Sequence, residues 1–208
     1  MSTVSDGVCQ DIVAICQRLY ARGFIAGTEG NVSVRVAPDR LWITPTGCHK
    51  GFVQPADLLL IDLEGHVHTG SGKPSSETPM HLALYHHRPD IGAVVHAHPP
   101  LATALTVAGY TLDTAILPEA VVVLGEVPTV PYQMPTTVQF AQEVGTAMRS
   151  APAVLLENHG GVAVGPTLQA AFNVMETVER VAQIFYLAKT LGQVRPLSRE
   201  AVEALRAL

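Results

Sequence analysis

The chain has 208 residues, of which 48% are hydrophobic and 15% charged, and 13 Lys and Arg against 18 Asp and Glu give a formal net charge of −5. This apolar content excludes a disordered chain, and an acidic balance without a Lys/Arg cluster excludes a nucleic-acid-binding face. No apolar stretch reaches the roughly 18 uninterrupted residues of a membrane span, and no secretory signal is visible at the N-terminus.

Two features of the composition concern the surroundings of the protein. Soluble domains usually contain about 25% charged residues, so the low charged fraction predicts that part of the surface is buried against other subunits. The cysteines have no CxxC spacing, which favours free thiols in a reducing compartment; they are Cys9, Cys16 and Cys48. We therefore expect a soluble, cytoplasmic protein.

The first element in chain order is an amphipathic helix, predicted from apolar residues spaced four, three and four apart, which are Val8, Ile12, Ile15 and Leu19. Ser5 or Asp6 is expected to cap it and Gly23 to end it. The pattern then predicts a hairpin of strands at 31–36 and 41–44, a strand at 58–63, a helix at 76–88, a strand at 93–98, a helix at 100–108, one or two strands within 120–130, a helix at 136–149, strands at 153–157 and 162–164, and a helix at 168–191.

Strands and helices are interleaved along this chain, and several strands are joined by hairpins. Neither an internal repeat nor a low-complexity linker divides it. The order favours a mixed, largely antiparallel sheet between helices over a doubly wound parallel sheet. We therefore predict a single α/β domain of three layers (α/β/α) over residues 1–208.

Two histidines close a buried apolar strand. His96 and His98 are two residues apart, so on a strand both imidazoles project from the same face and can reach one point. Two imidazoles at one point begin a site for zinc or a similar metal, while the alternative is a pair of hydrogen-bonded core histidines. The pairs at 66/68 and 86/87 are instead expected to be surface histidines, in a Gly- and Ser-rich stretch and on a helix.

A third histidine favours the metal interpretation. His159 follows another apolar run and precedes two glycines, which let other groups approach closely. Three histidine ligands leave one coordination position open, as in catalytic rather than structural sites.

Three small polar loops are candidates for binding an anion. They cover residues 27–31, 44–47 and 73–77, and the last precedes a helix, where free backbone N–H groups favour phosphate or carboxylate. Glu77 in this last loop is either a structural carboxylate, an extra metal ligand, or a base for a proton acidified by the metal. Lys50 and Lys73 either assist the anion or lie at the surface.

These motifs, in this order, resemble the class II aldolase/adducin family, and among its members most closely the L-fuculose-1-phosphate aldolase-like enzymes. The resemblance runs from about residue 8 to residue 190 and rests on Gly-Asn-Val-Ser (30–33), Thr-Pro-Thr-Gly (44–47), Pro-Ser-Ser-Glu (74–77) with Met-His (80–81), His-Ala-His-Pro (96–99) and Asn-His-Gly (158–160). It implies the α/β fold of that family and a homotetramer with active sites between neighbouring subunits.

The resemblance also implies roles for individual residues. A divalent metal, usually Zn²⁺ with Mn²⁺, Co²⁺ or Mg²⁺ as alternatives, would bind to His96, His98 and His159. Glu77 would be an additional ligand without substrate and would carry a proton during catalysis. The residues that would bind the substrate phosphate are Gly30, Asn31, Thr46, Gly47, Ser75 and Ser76.

The implied reaction is that of a lyase. It would cleave a ketose 1-phosphate, L-fuculose 1-phosphate or a related deoxy-ketose phosphate, to dihydroxyacetone phosphate and an aldehyde through a metal-stabilised enediolate. The family's tyrosine proton donor is missing near residues 117–119, and Glu119 or Tyr132 are candidates to replace it. Alternatives within the family are a sugar-phosphate 4-epimerase, a decarboxylase and a dehydratase. A non-catalytic adducin-like module is disfavoured because such proteins lack the metal histidines.

Overall fold

An eight-stranded sheet forms the centre of the computed structural model, which describes the backbone of residues 3–207 and the side chains of residues 7–207. The strands lie in the order β4-β3-β2-β1-β5-β8-β7-β6. Among the strands of the described residues, β6 and β7 pair in parallel and all other neighbours are antiparallel. The strands are β1 (Asn31–Ala37), β2 (Arg40–Ile43), β3 (Leu59–Asp62), β4 (Val67–Thr69), β5 (Ala93–Ala97), β6 (Thr129–Val130), β7 (Ala153–Leu156) and β8 (Gly160–Gly165).

Helices cover both faces of this sheet. They are α1 (Thr3–Ala21), α2 (Thr78–His87), α3 (Pro100–Val107), α4 (Pro118–Leu124), α5 (Val138–Ala147), α6 (Leu168–Leu191) and α7 (Arg199–Arg206). Alternate residues of the central strands enter opposite cores: Val95 packs with α1, α3, α4 and α6, whereas Val94 packs with α2 and α5. The predicted three-layer α/β arrangement with a mixed, largely antiparallel sheet is confirmed.

Most elements lie where the sequence pattern predicts them, and α6 agrees in both of its ends. The prediction of strands within 120–130 is wrong for its first half, which is the helix α4. Pro118 occupies the first turn of that helix and Gly125 ends it with a φ of 58°. Ala120 and Leu124, one turn apart, are buried, whereas the valines between them include the exposed Val122. A helical period therefore outweighs the β preference of a valine run.

Other differences concern element ends and two elements that the pattern did not predict. Ser5 and Asp6 lie within α1 instead of capping it, while Gly23, with a φ of 69°, follows its end as expected. The strand β4 and the helix α7, which Ser198 caps, were not predicted. In the described part of the chain, we find no helix with the length and hydropathy to cross a membrane.

Candidate active site

The candidate site lies where β5 ends, on the sheet face that α2 and α5 cover. His96, in β5, is fully buried and pairs across the sheet with Asn31 of β1. Residues paired in this way project to the same side, so the imidazole and the amide face α2 together. His98 follows β5 directly and keeps the strand's alternation, which brings its ring centroid to 5.0 Å from that of His96.

Each of these imidazoles is fixed by a bond at its Nδ1 atom. His96 Nδ1 donates to the carbonyl oxygen of Gly161 at 2.9 Å, and His98 Nδ1 donates to the carboxylate of Glu29 at 2.8 Å. Both Nε2 atoms therefore direct a lone pair into the site, where they lie 3.2 Å apart. Two lone pairs repel each other at this distance unless a proton or a metal cation lies between them.

The third histidine comes from the turn between β7 and β8. Asn158 takes a left-handed conformation there (φ 57°), and its N–H donates to Thr106 Oγ1 at 3.1 Å. This turn directs His159 at the other two rings, with centroids 4.9 Å from His96 and 5.0 Å from His98. One ligand atom from each histidine lies within 4.8 Å of the others.

Glu77, which immediately precedes α2, contacts this cluster. Its Oε2 atom lies 3.1 Å from His96 Nε2 and accepts a hydrogen bond from Asn31 Nδ2 at 2.8 Å. Its Oε1 atom lies 3.4 Å from His159 Nε2 and is buried without a hydrogen-bond partner in the part of the chain that the structure describes. One carboxylate oxygen is thus bound by the protein, and the other is available to a ligand.

Burial and charge act in opposite directions on this cluster. Burial raises the pKa of Glu77, but the charge and hydrogen bond of His96 and the amide of Asn31 outweigh it, so the pKa lies well below its usual range. Burial lowers the pKa of His96, yet Glu77 raises it more. Burial and then the charge of His96 lower the pKa of His159 to about 4. Glu77 and His96 therefore favour each other's charged forms.

The donor set fits a divalent metal. A tetrahedral zinc with Zn–N bonds of about 2.0–2.1 Å separates two ligand nitrogens by about 3.3 Å, close to the 3.2 Å between His96 and His98 Nε2. The carboxylate of Glu77, 3.1 Å from His96 Nε2, supplies negative charge beside the imidazoles, which favours a bound cation. The second hydrogen bonds at Nδ1, to Gly161 and Glu29, are those that orient metal-binding histidines in known sites.

A chain of buried hydrogen bonds links Glu77 to the interior. Because a carboxylate only accepts, Asn31 must direct Nδ2 at Glu77 and therefore Oδ1 at His81. His81 then donates from Nε2, and its Nδ1 accepts from Ser33 Oγ at 2.6 Å. Tyr85 lies 3.0 Å from the same hydroxyl. Burial, and then the charge of His96, lowers the pKa of His81 to about 3, which keeps its ring neutral as this chain requires.

The three polar loops meet beside this carboxylate. Asn31 Nδ2 also donates to Ser75 Oγ at 3.0 Å, and Thr46 N donates to the carbonyl oxygen of Lys73 at 3.0 Å. Gly30 has a φ of 68°, and a Cβ there would lie 2.9 Å from the carbonyl oxygen of His96, so only glycine fits. The remaining predicted phosphate residues, Gly47 and Ser76, lie in the same loops and are exposed.

Three residues of this site were not assigned a role from the sequence: Glu29, His81 and Lys50. Glu29 stands within the first polar loop, and His81 within the Met-His pair of the family motif, but neither contact is visible in a local pattern. Lys50 was left between an anion-binding and a surface role; the structure buries it to 2% exposure, whereas Lys73 is exposed.

The histidine pairs at 66/68 and 86/87 lie apart from the cluster. His66 and His68 both contact Asp62, at 3.4 and 2.8 Å, on the edge of the sheet, and His86 and His87 are exposed on α2. Both pairs agree with the surface interpretation. Within residues 7–207, no hydrogen bond or ion pair joins Glu119 or Tyr132 to Glu77 or the three histidines, so their suggested role as proton donors stays a prediction.

An α/β sheet that brings three histidines and a carboxylate to one point is typical of metal-dependent enzymes. Comparison with known proteins specifies the family: the model described as Class II Aldolase and Adducin N-terminal domain matches residues 10–186. The chain belongs to the class II aldolase and adducin family.

Similar proteins differ in the reactions that they are named for. The chain is 35% identical over 198 residues to the 5-deoxy-D-ribulose 1-phosphate aldolase of Bacillus thuringiensis serovar kurstaki, covering 94% of this chain and 92% of that one. It is also 35% identical over 188 residues to the 3-oxo-tetronate 4-phosphate decarboxylase of Escherichia coli K12, covering 88% of each chain. A solved L-fuculose 1-phosphate aldolase superposes with a TM-score of 0.90 at 33% identity, covering 100% of this chain and 96% of that one.

Proposed function

We propose that this protein is a metal-dependent aldolase that cleaves a ketose 1-phosphate to dihydroxyacetone phosphate and an aldehyde. L-fuculose 1-phosphate or a related deoxy-ketose phosphate is the proposed substrate, in keeping with the aldolases that the chain resembles. The observation that carries the proposal is the position of Glu77, a buried carboxylate in contact with His96 and His159 whose Oε1 atom is free of hydrogen bonds among the described residues.

In this proposal His96, His98 and His159 hold a divalent metal, with Zn²⁺ the best match to three imidazoles and a carboxylate. When bound, the metal polarises the substrate carbonyl and stabilises the negative charge that develops on it. The Gly161 carbonyl and Glu29 hold the imidazoles of His96 and His98 in the tautomer that this role requires.

Glu77 moves the proton at the reacting carbon. When the C3–C4 bond breaks, the C4 hydroxyl becomes the aldehyde carbonyl and its proton passes to a base, the role proposed for Glu119 or Tyr132. The electron pair of the broken bond stays at C3 next to the C2 carbonyl. Glu77 takes up a proton from solvent and delivers it to C3, which completes dihydroxyacetone phosphate, and in the reverse direction the ionised Glu77 removes that proton. Asn31 holds one carboxylate oxygen at 2.8 Å and so directs the other at the substrate.

The three polar loops bind the phosphate in this proposal. The backbone and side chains of Gly30, Asn31, Thr46, Gly47, Ser75 and Ser76 offer hydrogen-bond donors, and the hydrogen bond between Asn31 and Ser75 ties the loops to the acid–base group. A phosphate bound there fixes the position of C3 relative to Glu77, which reduces the entropic cost of reaching the transition state.

The proposal includes the assembly and the location of the enzyme. We propose a homotetramer with active sites between neighbouring subunits, which is supported by exposed apolar side chains such as Val122 at 54% and Val138 at 69%. His98 and His159 are partly exposed in the single chain, where a neighbouring subunit can complete the site. The cysteine spacing, without a CxxC pair, supports a reducing, cytoplasmic location.

A decarboxylase is the second candidate, because the E. coli relative named for that reaction is as similar as the aldolase from Bacillus. Loss of CO2 from a 3-oxo acid also leaves an electron pair next to a carbonyl, and Glu77 would protonate it in the same way. The epimerase is disfavoured because epimerases of this family typically have Asp where this chain has Glu77.

The test is a direct comparison of products with the metal-loaded protein. Release of dihydroxyacetone phosphate is measured with a panel of 6-deoxy- and 5-deoxy-ketose 1-phosphates. Release of CO2 is measured with a 3-oxo acid that carries a phosphate at C4. We expect release of dihydroxyacetone phosphate, reduced at least about 100-fold by Glu77→Gln. Release of CO2 alone would replace the proposal with the decarboxylase, and absence of both products with metal bound would overturn both.

A further inference from the structure

Lys50 is a buried lysine behind the loops that surround the proposed phosphate site. Its side chain is 2% exposed, which is rare for lysine, and it lies three residues after Gly47. Lysines usually keep the ammonium group in water, so its burial requires compensating contacts.

The contacts of Lys50 join two of the three polar loops. Its Nζ atom donates to the carbonyl oxygen of Thr28 at 2.8 Å and to that of Cys48 at 3.0 Å. Its backbone N–H donates to the carbonyl oxygen of Gly27 at 3.3 Å. Thr28 lies two residues before Gly30, and Cys48 directly follows Gly47; both glycines are assigned to the phosphate. Lys50 therefore holds the two loops at a fixed separation.

The charge of Lys50 is not matched by a carboxylate. Across residues 7–207, no ion pair joins its Nζ atom to an Asp or Glu; its hydrogen-bond partners are two backbone carbonyls and the Cys48 thiol. The ammonium group also acts on the neighbouring thiol of Cys48. Burial raises the pKa of this thiol, and the charge of Lys50 opposes that rise. Burying an unpaired ammonium is costly unless an anion offsets it in the working protein.

The loops themselves carry no other buried positive charge. The six residues assigned to the phosphate have neutral side chains, and the neighbouring Lys73 is exposed. Exposed cations contribute little to binding because solvent screens them, whereas a buried charge acts through a lower effective dielectric.

We propose that Lys50 is the residue that makes this site selective for a phosphorylated ligand, by holding the two loops together and by supplying the positive charge behind them. It acts on the phosphate by positioning the loops and through the electrostatic field of its charge. It is therefore a positioning residue and not a catalytic one. This inference rests on the proposed function only in placing phosphate at these loops.

The experiment measures binding of inorganic phosphate to the metal-free protein by isothermal titration calorimetry. Lys50→Gln keeps N–H donors for the two carbonyls but removes the charge, and Lys50→Met removes both. Lys73→Gln is the matched control, since it removes an exposed charge from the same set of loops. At an effective dielectric of about 20, loss of a charge within roughly 10 Å of a phosphate weakens binding by about tenfold or more.

We expect Lys50→Gln and Lys50→Met to weaken phosphate binding by at least about tenfold, and Lys73→Gln to change it less than about threefold. Lys50→Gln that binds phosphate as the wild type does would overturn the inference and leave Lys50 a purely structural clamp. A wild type that binds no phosphate would overturn it as well. Circular dichroism checks folding, and if Lys50→Met does not fold, Lys50→Gln alone decides.

This outcome is separate from that of the proposed lyase reaction, because the assay contains neither metal nor sugar. Weaker phosphate binding by Lys50→Gln in a protein that cleaves no ketose phosphate would support the inference and overturn the proposed function. Cleavage of a ketose phosphate with unchanged phosphate binding in Lys50→Gln would do the reverse.

Discussion

Replacing His81 by glutamine should make the stability of this protein less sensitive to acid. His81 is completely buried and neutral in the folded protein, where burial lowers its pKa to about 3. In the unfolded chain, the same imidazole has its ordinary pKa of about 6.5. Between these two values the unfolded state binds a proton that the folded state does not, so stability falls as the pH falls.

The size of this effect follows from the two pKa values. The stabilisation is fully present above about pH 7 and decreases by up to about 1.4 kcal/mol per pH unit below the unfolded pKa. At pH 5, His81 alone should therefore have lowered the free energy of unfolding by about 2 kcal/mol relative to pH 8. Titration of a Lys, an Arg or a carboxylate would change the free energy of unfolding over a different pH range. The range between pH 8 and pH 5 is therefore part of the prediction.

The assay is urea unfolding of the wild type and of His81→Gln at pH 8 and pH 5, with a chelator present and protein concentration held constant. Glutamine can place an N–H near the position of Nε2 and so keep the bond to Asn31, and any stability lost at pH 8 cancels in the comparison between pH values. His86→Gln removes an exposed histidine from the same helix and serves as the control. An equal loss of stability between pH 8 and pH 5 in the wild type and in His81→Gln would refute the reasoning.

Three further predictions concern the cluster and its surroundings. Glu29→Gln weakens the acceptor of the His98 Nδ1 proton and should reduce zinc affinity about 10- to 100-fold, measured by competition with a chromophoric chelator; unchanged affinity would mean that Glu29 does not orient this imidazole. Gly160→Ala would place a Cβ 2.5 Å from the carbonyl oxygen of Ala97 and should destabilise the protein by about 2 kcal/mol or more. The control Gly161→Ala, whose nearest contact would be 3.4 Å, should destabilise it less. Thermal melts compare the two variants, and equal melting temperatures would contradict the packing argument. Dialysis against a chelator should abolish lyase activity and readdition of Zn²⁺ or Mn²⁺ should restore it; activity that persists after metal analysis shows none would contradict the metal proposal.

Local patterns in the sequence predict the parts of this fold that depend on local physics. The alternation of β5 places His96 and His98 on one side of the chain, and the helical period of α6 predicts both of its ends. The valine-rich run in α4 misleads, because its β preference is a property of side chains while its helix is set by Pro118, Gly125 and burial on one face. Propensity yields to tertiary packing in such short elements.

Contacts between distant parts of the chain could not be predicted in this way. Glu29 and His98 are 69 residues apart, and His81 and Asn31 are 50 apart, so their hydrogen bonds exist only because β1, β5 and α2 pack together. The burial of Lys50 is of the same kind, since no local signal distinguishes it from the exposed Lys73. The place of His159 after an apolar run suggested that it joins the other histidines. The position of its ring, however, depends on the turn between β7 and β8, which no local pattern predicts.

Deuterium exchange at C3 of dihydroxyacetone phosphate tests most directly whether Glu77 moves the proton at the reacting carbon. The zinc-loaded protein is incubated with dihydroxyacetone phosphate in D2O without any aldehyde, and the C3 proton signal is followed by NMR. This half-reaction needs no knowledge of the natural aldehyde. We predict that the wild type replaces one C3 proton by deuterium and that Glu77→Gln slows this at least about 100-fold while still binding zinc. Exchange at the same rate in Glu77→Gln would contradict the account, as would a zinc-loaded wild type that exchanges no proton.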